Sequence, residues 1–196
     1  MISNSFNHVL LSASKSIEDS LGRNDMVLNS VLELFYNCKG KLVFSGIGKS
    51  SIIAQKMAAT FSSTGTSSVF LHAGEALHGD LGICREGDVA IVISKSGTTA
   101  ELLAIIPSLL SFGIPVIGIL GNINSPIAKL CNFVLDASVT KEADLYNIVP
   151  SSSTTLAITI GDALAISLME LKGFTDKDFV KFHPGGQLGK DLSHLK

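Results

Sequence analysis

Three polar turns, two glutamates and two histidines carry the side chains that could do chemistry in this chain. The first turn is Ser45-Gly46-Ile47-Gly48-Lys49-Ser50-Ser51. Backbone amides where a strand enters a helix bind anions, and Lys49 adds a positive charge, so Gly46, Gly48, Lys49 and Ser50 suit a phosphate or an oxyanion. The turn is not a P-loop, because Val43 stands five residues before Gly48. Nor is it a dinucleotide fingerprint, because Ser51 holds the third glycine position. The second turn, Ser94-Lys95-Ser96-Gly97-Thr98-Thr99, holds four hydroxyls where a helix cap needs one or two. Ser94, Ser96, Thr98 and Thr99 therefore read as a phosphate cradle. The third, Ser151-Ser152-Ser153-Thr154-Thr155, follows Pro150 and heads a helix, with the same anion-binding logic and the same capping alternative. Glu101 lies one turn inside the helix after the second turn, facing the same mouth. Glu142, in Thr140-Lys141-Glu142-Ala143, reads on local sequence alone as a solvated loop charge. His78 and His183 stand beside glycines, exposed enough to exchange protons near neutral pH. His72, Glu75 and His78 lack zinc-protease spacing, and no metal site is assigned.

The elements that must position these residues follow from the apolar pattern. Lys41–Ser45, Ser68–Leu71, Asp88–Ser94, Ile114–Leu120 and Asn132–Asp136 are short apolar runs that read as strands. Between and after them the spacing predicts helices over about 49–63, 99–112 and 152–171. Continuously apolar strands alternating with helices make a parallel sheet covered on both faces. The expected fold is a doubly wound, flavodoxin-like α/β domain with five parallel strands, which binds ligands at the carboxyl ends of its strands. Residues 1–39 are helical in pattern. Val9, Leu10, Ile17 and Leu21 suit one apolar face, and Val27, Leu28, Val31, Leu32 and Leu34 another. One domain over 1–196 is expected, with the 1–39 segment packed on a core of 40–196.

Composition narrows the function classes. Of 196 residues, 46% are hydrophobic and 16% charged, which excludes disorder. Fifteen basic against seventeen acidic residues leave no positive excess for nucleic acid. Leu102–Leu120 is nineteen residues without a charge, long enough to span a membrane. Pro107 and the Ser111-Phe112-Gly113-Ile114-Pro115 break divide it into a buried helix and a buried strand, so no membrane span is expected. No signal peptide is visible, and Cys38, Cys84 and Cys131 are too sparse for a disulfide framework. A cytoplasmic protein with reduced thiols is the reading.

In order along the chain, several segments together resemble the sugar isomerase (SIS) domain family, most closely its bacterial D-arabinose 5-phosphate isomerases. They are Gly46–Ser50, Lys56–Phe61, Ser63–Gly65, Gly74–Gly82, Ser94–Gly97, Ser152–Thr155, Gly161–Ala165 and Phe182–Gly186. The resemblance implies interconversion of D-arabinose 5-phosphate and D-ribulose 5-phosphate, feeding synthesis of the acidic sugar Kdo of lipopolysaccharide or capsule. It implies roles for Lys49, His78, Glu101, Glu142 and His183, no cofactor, and a homotetramer with active sites near subunit interfaces. The chain stops at Lys196, so the form without CBS regulatory domains is implied. Where the family usually reads Glu-Ala-Cys-Pro-Leu-Gly-Leu-Ala-Pro, this chain has Glu142-Ala-Asp-Leu-Tyr-Asn-Ile-Val-Pro150.

The expected chemistry opens the furanose ring and moves a proton between C2 and C1 through a cis-enediol. Phosphate is assigned to Ser94, Ser96, Thr99 and the Ser152, Ser153 and Thr154 helix start. Glu142 is the first choice for the carbon base and Glu101 the second, with burial expected to raise the pKa of Glu142. His183 or His78 would open the ring, and Lys49 would steady the enediolate or the phosphate. The rivals are an isomerase of another sugar phosphate and a non-catalytic sugar-phosphate sensor.

Overall fold

The structure, a computed structural model, describes residues 2–185. Gly186 of the Phe182–Gly186 segment lies outside the described residues. Two helices, α1 (Ile2–Glu18) and α2 (Asp25–Tyr36), precede the alternating part of the chain. There β1 (Leu42–Gly46) leads to α3 (Lys49–Ser63), then β2 (Ser68–His72) to the short α4 (Ala73–Ala76) and a 3-10 turn, Asp80–Ile83. Next come β3 (Val89–Ser94), α5 (Ala100–Ser111), β4 (Val116–Leu120), α6 (Pro126–Leu130) and β5 (Phe133–Asp136). The last elements are α7 (Ser152–Leu171) and α8 (Asp176–Phe182).

Every strand pairing is parallel, in the order β2-β1-β3-β4-β5. β1, β3 and β4 are buried at every position, as strands covered on both faces must be, whereas the edge strands β2 and β5 are partly exposed. Side chains alternate between two cores. On one face Leu42, Phe44, Ile91, Ile93, Ile117 and Ile119 meet α2, α3 and α7. On the other, Val43, Ala90, Val92, Val116 and Leu120 meet α5 and α6. The expected doubly wound sheet is the one observed.

Three details depart from the sequence reading. Val9 and Leu10 are exposed, because α1 lies along α7 and leaves much of its apolar surface uncovered, and Leu21 is exposed in the turn between α1 and α2. Pro107 sits inside α5 on its exposed face, where the carbonyl that loses its backbone donor can turn to water. The helices α4, α6 and α8 were not anticipated, although two carry local signals. Ser125 caps α6 with Pro126 at its first position, and Thr175 and Asp178 form a reciprocal capping box on α8.

Candidate active site

β1 and β3 are neighbours, yet α3 leaves one for the first core while α5 leaves the other for the second. The chain thus diverges at their carboxyl ends, the switch point where such sheets hold ligands. A cleft lies on the α3 and α7 side of that point. Ser50, Ser94, Lys95, Gly121, Ser153 and Thr154 supply its polar and backbone lining, and Ile53, Ile93, Ile119, Ala137 and Ala157 its apolar floor. Residues far apart in sequence are joined here because all three polar turns leave the same edge of the sheet.

The second turn is folded around its own hydroxyls. Ser94 Oγ accepts from the Gly97 amide at 3.0 Å and lies 3.0 Å from Thr99 Oγ1. Ser96 Oγ accepts from the Thr98 amide at 3.2 Å and from its hydroxyl at 3.0 Å. Gly97 has φ +67°, and a Cβ there would overlap the Ser125 hydroxyl, so only glycine lets the turn close against α6.

Glu142 is the most constrained polar group at this edge. It is 1% exposed. Its Oε2 accepts from the Ser151 amide at 2.9 Å, the Ser153 amide at 3.1 Å and the Ser151 hydroxyl at 3.2 Å. Its Oε1 accepts from the Ser153 hydroxyl and from the Lys95 ammonium, the latter at 2.7 Å. Ser151 makes no side-chain cap, so Glu142 caps α7 in its place. Burial by itself pushes this carboxyl up. The Lys95 ammonium, the Ser153 hydroxyl and the amides of Ser151 and Ser153 outweigh it and hold the pKa at about 2. The expectation of a raised pKa is therefore corrected: hydrogen bonds to the charged form win over desolvation. The reading of Glu142 as a solvated loop charge fails as well. Its own amide donates to Asn147, whose φ of +57° is a left-handed conformation that asparagine tolerates.

Of the residues singled out in the sequence, Ser50, Ser94, Ser153 and Thr154 line the cleft. Gly46 is the buried last residue of β1, and Gly48, with φ +60°, precedes α3. Lys49 opens α3, Glu101 is second in α5, and His78 follows α4. All three are exposed at the carboxyl edge. Ser96 and Thr98 are exposed there too, and Thr99 is half-buried. Ser152 is not brought to the cleft: it is 1% exposed, and its hydroxyl has no partner among the described residues.

His183 is separated from the others. Phe182 stacks on Phe174 with ring centres 5.9 Å apart, and Phe174 packs over Gly65 in the loop entering β2. This places the end of α8 at the opposite edge of the sheet. The His183 ring stacks on Phe179 at 3.8 Å, and its Nδ1 lies 2.9 Å from the Phe179 carbonyl. A carbonyl only accepts, so Nδ1 carries the hydrogen and the neutral ring keeps its lone pair on Nε2. The sequence motifs gave no role to Lys95, Gly121 or Asn147, and Ser151 was quoted in the third turn without being assigned to the phosphate. Lys95 was legible as the one cation inside the quoted Ser94–Thr99 turn.

The SIS domain family matches residues 34–167. Arabinose 5-phosphate isomerase KpsF of Escherichia coli is 48% identical over 162 residues, covering 83% of this chain and 51% of that protein. Arabinose 5-phosphate isomerase KdsD of Pseudomonas aeruginosa is 48% identical over 160 residues, covering 82% and 49%. The chain thus spans about half the length of these curated relatives. An Escherichia coli CFT073 protein solved in complex with arabinose 5-phosphate superposes with a TM-score of 0.90 at 42% identity, over 93% of this chain and 97% of that one. Sheet order, switch-point cleft and family match agree, and the chain belongs to the SIS domain family.

Proposed function

We propose that this protein interconverts D-arabinose 5-phosphate and D-ribulose 5-phosphate. The observation that carries the reading is the cleft where hydroxyls from all three polar turns meet beside a buried carboxylate. The similarity to a protein solved with arabinose 5-phosphate, over nearly all of its length, supports the choice of sugar. Supply of Kdo synthesis and a cytoplasmic setting belong to the same proposal.

The hydroxyls of Ser94 and Thr154 and the rim residues Ser96 and Thr99 hold the phosphate. After ring opening, a base removes the proton from C2 of the aldose, and electrons move through the cis-enediol. The proton returns at C1, while one hydroxyl proton passes from O2 to O1. Glu142, with five donors on its two oxygens and a pKa near 2, is a weak proton acceptor. We therefore move the carbon base to Glu101, on α5 at the same edge, and give Glu142 the task of fixing α7 and Lys95. Lys49 steadies the enediolate and His78 shuttles hydroxyl protons. His183 serves ring opening from a neighbouring subunit, since its own α8 lies at the far edge. That arrangement supports a homotetramer with sites near subunit interfaces.

The test is direct. Purified, chelator-treated protein is incubated with arabinose 5-phosphate, and ribulose 5-phosphate is followed, with ribose 5-phosphate and glucose 6-phosphate as controls. Selective turnover is expected. Turnover of a control alone assigns another isomerase, and binding without turnover assigns a sensor.

A further inference from the structure

Lys95 stands at the carboxyl end of β3, in the middle of the hydroxyl-rich turn, and lines the cleft. Its main chain is clamped. Gly121 donates to the Ser94 carbonyl at 3.1 Å, and any Cβ at position 121 would come within 2.6 Å of the Lys95 carbonyl oxygen. Its side chain is clamped as well, by Glu142 at 2.7 Å, although 46% of it remains exposed. The ammonium has three donors, and the ion pair uses one.

The electrostatics of the cleft call for this charge. The first amides of α7 would ordinarily receive an anion, but those of Ser151 and Ser153 already hold the Glu142 carboxylate. A phosphate dianion beside Ser94 and Thr154 would face that buried anion at short range, where repulsion is poorly screened. Lys49 and Glu101, the other charged groups singled out at this edge, are exposed on the rim, and neither pairs with Glu142 among the described residues.

We propose that Lys95 is the cation that receives the phosphate of the substrate, held across the cleft by Glu142 as its fixed counter-charge. The assignment rests on the sugar-phosphate reading above and adds a binding residue to it. One ammonium bridges carboxylate and phosphate, so that two anions share one helix start without direct repulsion.

The test uses three proteins. Lys95→Gln keeps a donor toward Glu142 but removes the charge, and Lys95→Arg keeps the charge. The readouts are KM and kcat for arabinose 5-phosphate, the Kd for inorganic phosphate by calorimetry, and the melting curve. Lys95→Gln is expected to raise both KM and the phosphate Kd about ten- to a hundred-fold, with kcat changing less. Lys95→Arg is expected to bring both back to within a few-fold of the wild type. A folded Lys95→Gln variant with unchanged phosphate Kd overturns the proposal, as does a loss of kcat and melting temperature together with phosphate affinity intact. Should Lys95→Gln not fold, lysine-labelled wild type answers by NMR. Phosphate must move the Lys95 Nζ resonance, assigned by its absence from Lys95→Arg, and an unmoved resonance refutes the contact. A wild type that binds phosphate yet isomerises no sugar phosphate rejects the isomerase reading alone. One that isomerises arabinose 5-phosphate yet binds no phosphate rejects the Lys95 assignment alone, and one that does neither rejects both.

Discussion

Two opposing forces act on Glu142. Desolvation favours its neutral acid, while Lys95, the Ser153 hydroxyl and two helix amides favour the carboxylate, and the second set is stronger. The sign of its pH dependence follows. The folded pKa of about 2 lies below the ordinary 4.5, so the stabilisation is complete above about 4.5 and is lost as pH falls toward 2. A shift of that size corresponds to about 3 kcal/mol at neutral pH. Glu142→Gln should lower stability in urea at pH 7 by about 2–4 kcal/mol, and the difference from wild type should shrink below pH 4.5. Glu101→Gln should leave stability unchanged and reduce kcat about 10²- to 10⁴-fold, with sugar-phosphate affinity retained. A folded Glu142→Gln variant that binds sugar phosphate but does not turn it over, beside an active Glu101→Gln, would return the carbon base to Glu142. The three cysteines bear no such chemistry. Burial pushes the Cys131 thiol up to about 12, far from a reactive thiolate.

At the scale of elements, the turn after β3 is locked to the start of α6. Gly97 adopts φ +67° directly against the Ser125 hydroxyl, and Ser125 caps α6 by accepting from the Ala128 amide. Gly97→Ala must bear the left-handed conformation and also displace that cap. A loss of about 2–4 kcal/mol in urea unfolding is expected, together with a raised KM, since Ser94 and Ser96 are held by the same turn. Strands and long helices were legible because their apolar periods are local. α7 starts at Ser152 as the sequence implies, the boundaries of β1, β2, β3 and β5 shift by one residue, and β4 starts two residues later than expected, at Val116. α4 was missed because four residues are too few for a helical period to show. α8 was missed because its capping box uses Asp178 where glutamate or glutamine is usual.

The whole molecule leaves a conspicuous apolar surface. Phe6, Leu10 and Leu11 on α1 are exposed, and so are Leu145, Tyr146, Ile148 and Val149 in the loop after Glu142. The loop is stiff, because Asp144 accepts from the amides of Tyr146, Ile148 and Val149 at 2.8–3.0 Å. Such a patch beside the candidate site fits the proposed subunit interface. Leu145→Asp combined with Leu10→Asp should convert the proposed assembly to a smaller species by light scattering, and activity should fall in step if His183 serves a neighbour's cleft as proposed. An unchanged mass would place the interface elsewhere. The uncharged Leu102–Leu120 stretch, by contrast, is divided between α5 and β4, and most of its residues are buried in the cores.

The sequence by itself determined the parallel sheet, its order of elements and the edge on which the polar turns gather. Those properties follow from periodicity and from the rule that βα turns share one edge. It also carried, in its motifs, the membership of the SIS family. Only the tertiary structure decided that the anion on α7 is the chain's own Glu142, that Lys95 is its partner, and that His183 lies at the far edge. The first joins residues nine and eleven apart across an irregular loop, and the other two rest on contacts between segments distant along the chain. Whether burial raises a carboxyl or its donors lower it depends on which groups folding brings within hydrogen-bonding distance, and no local pattern records that.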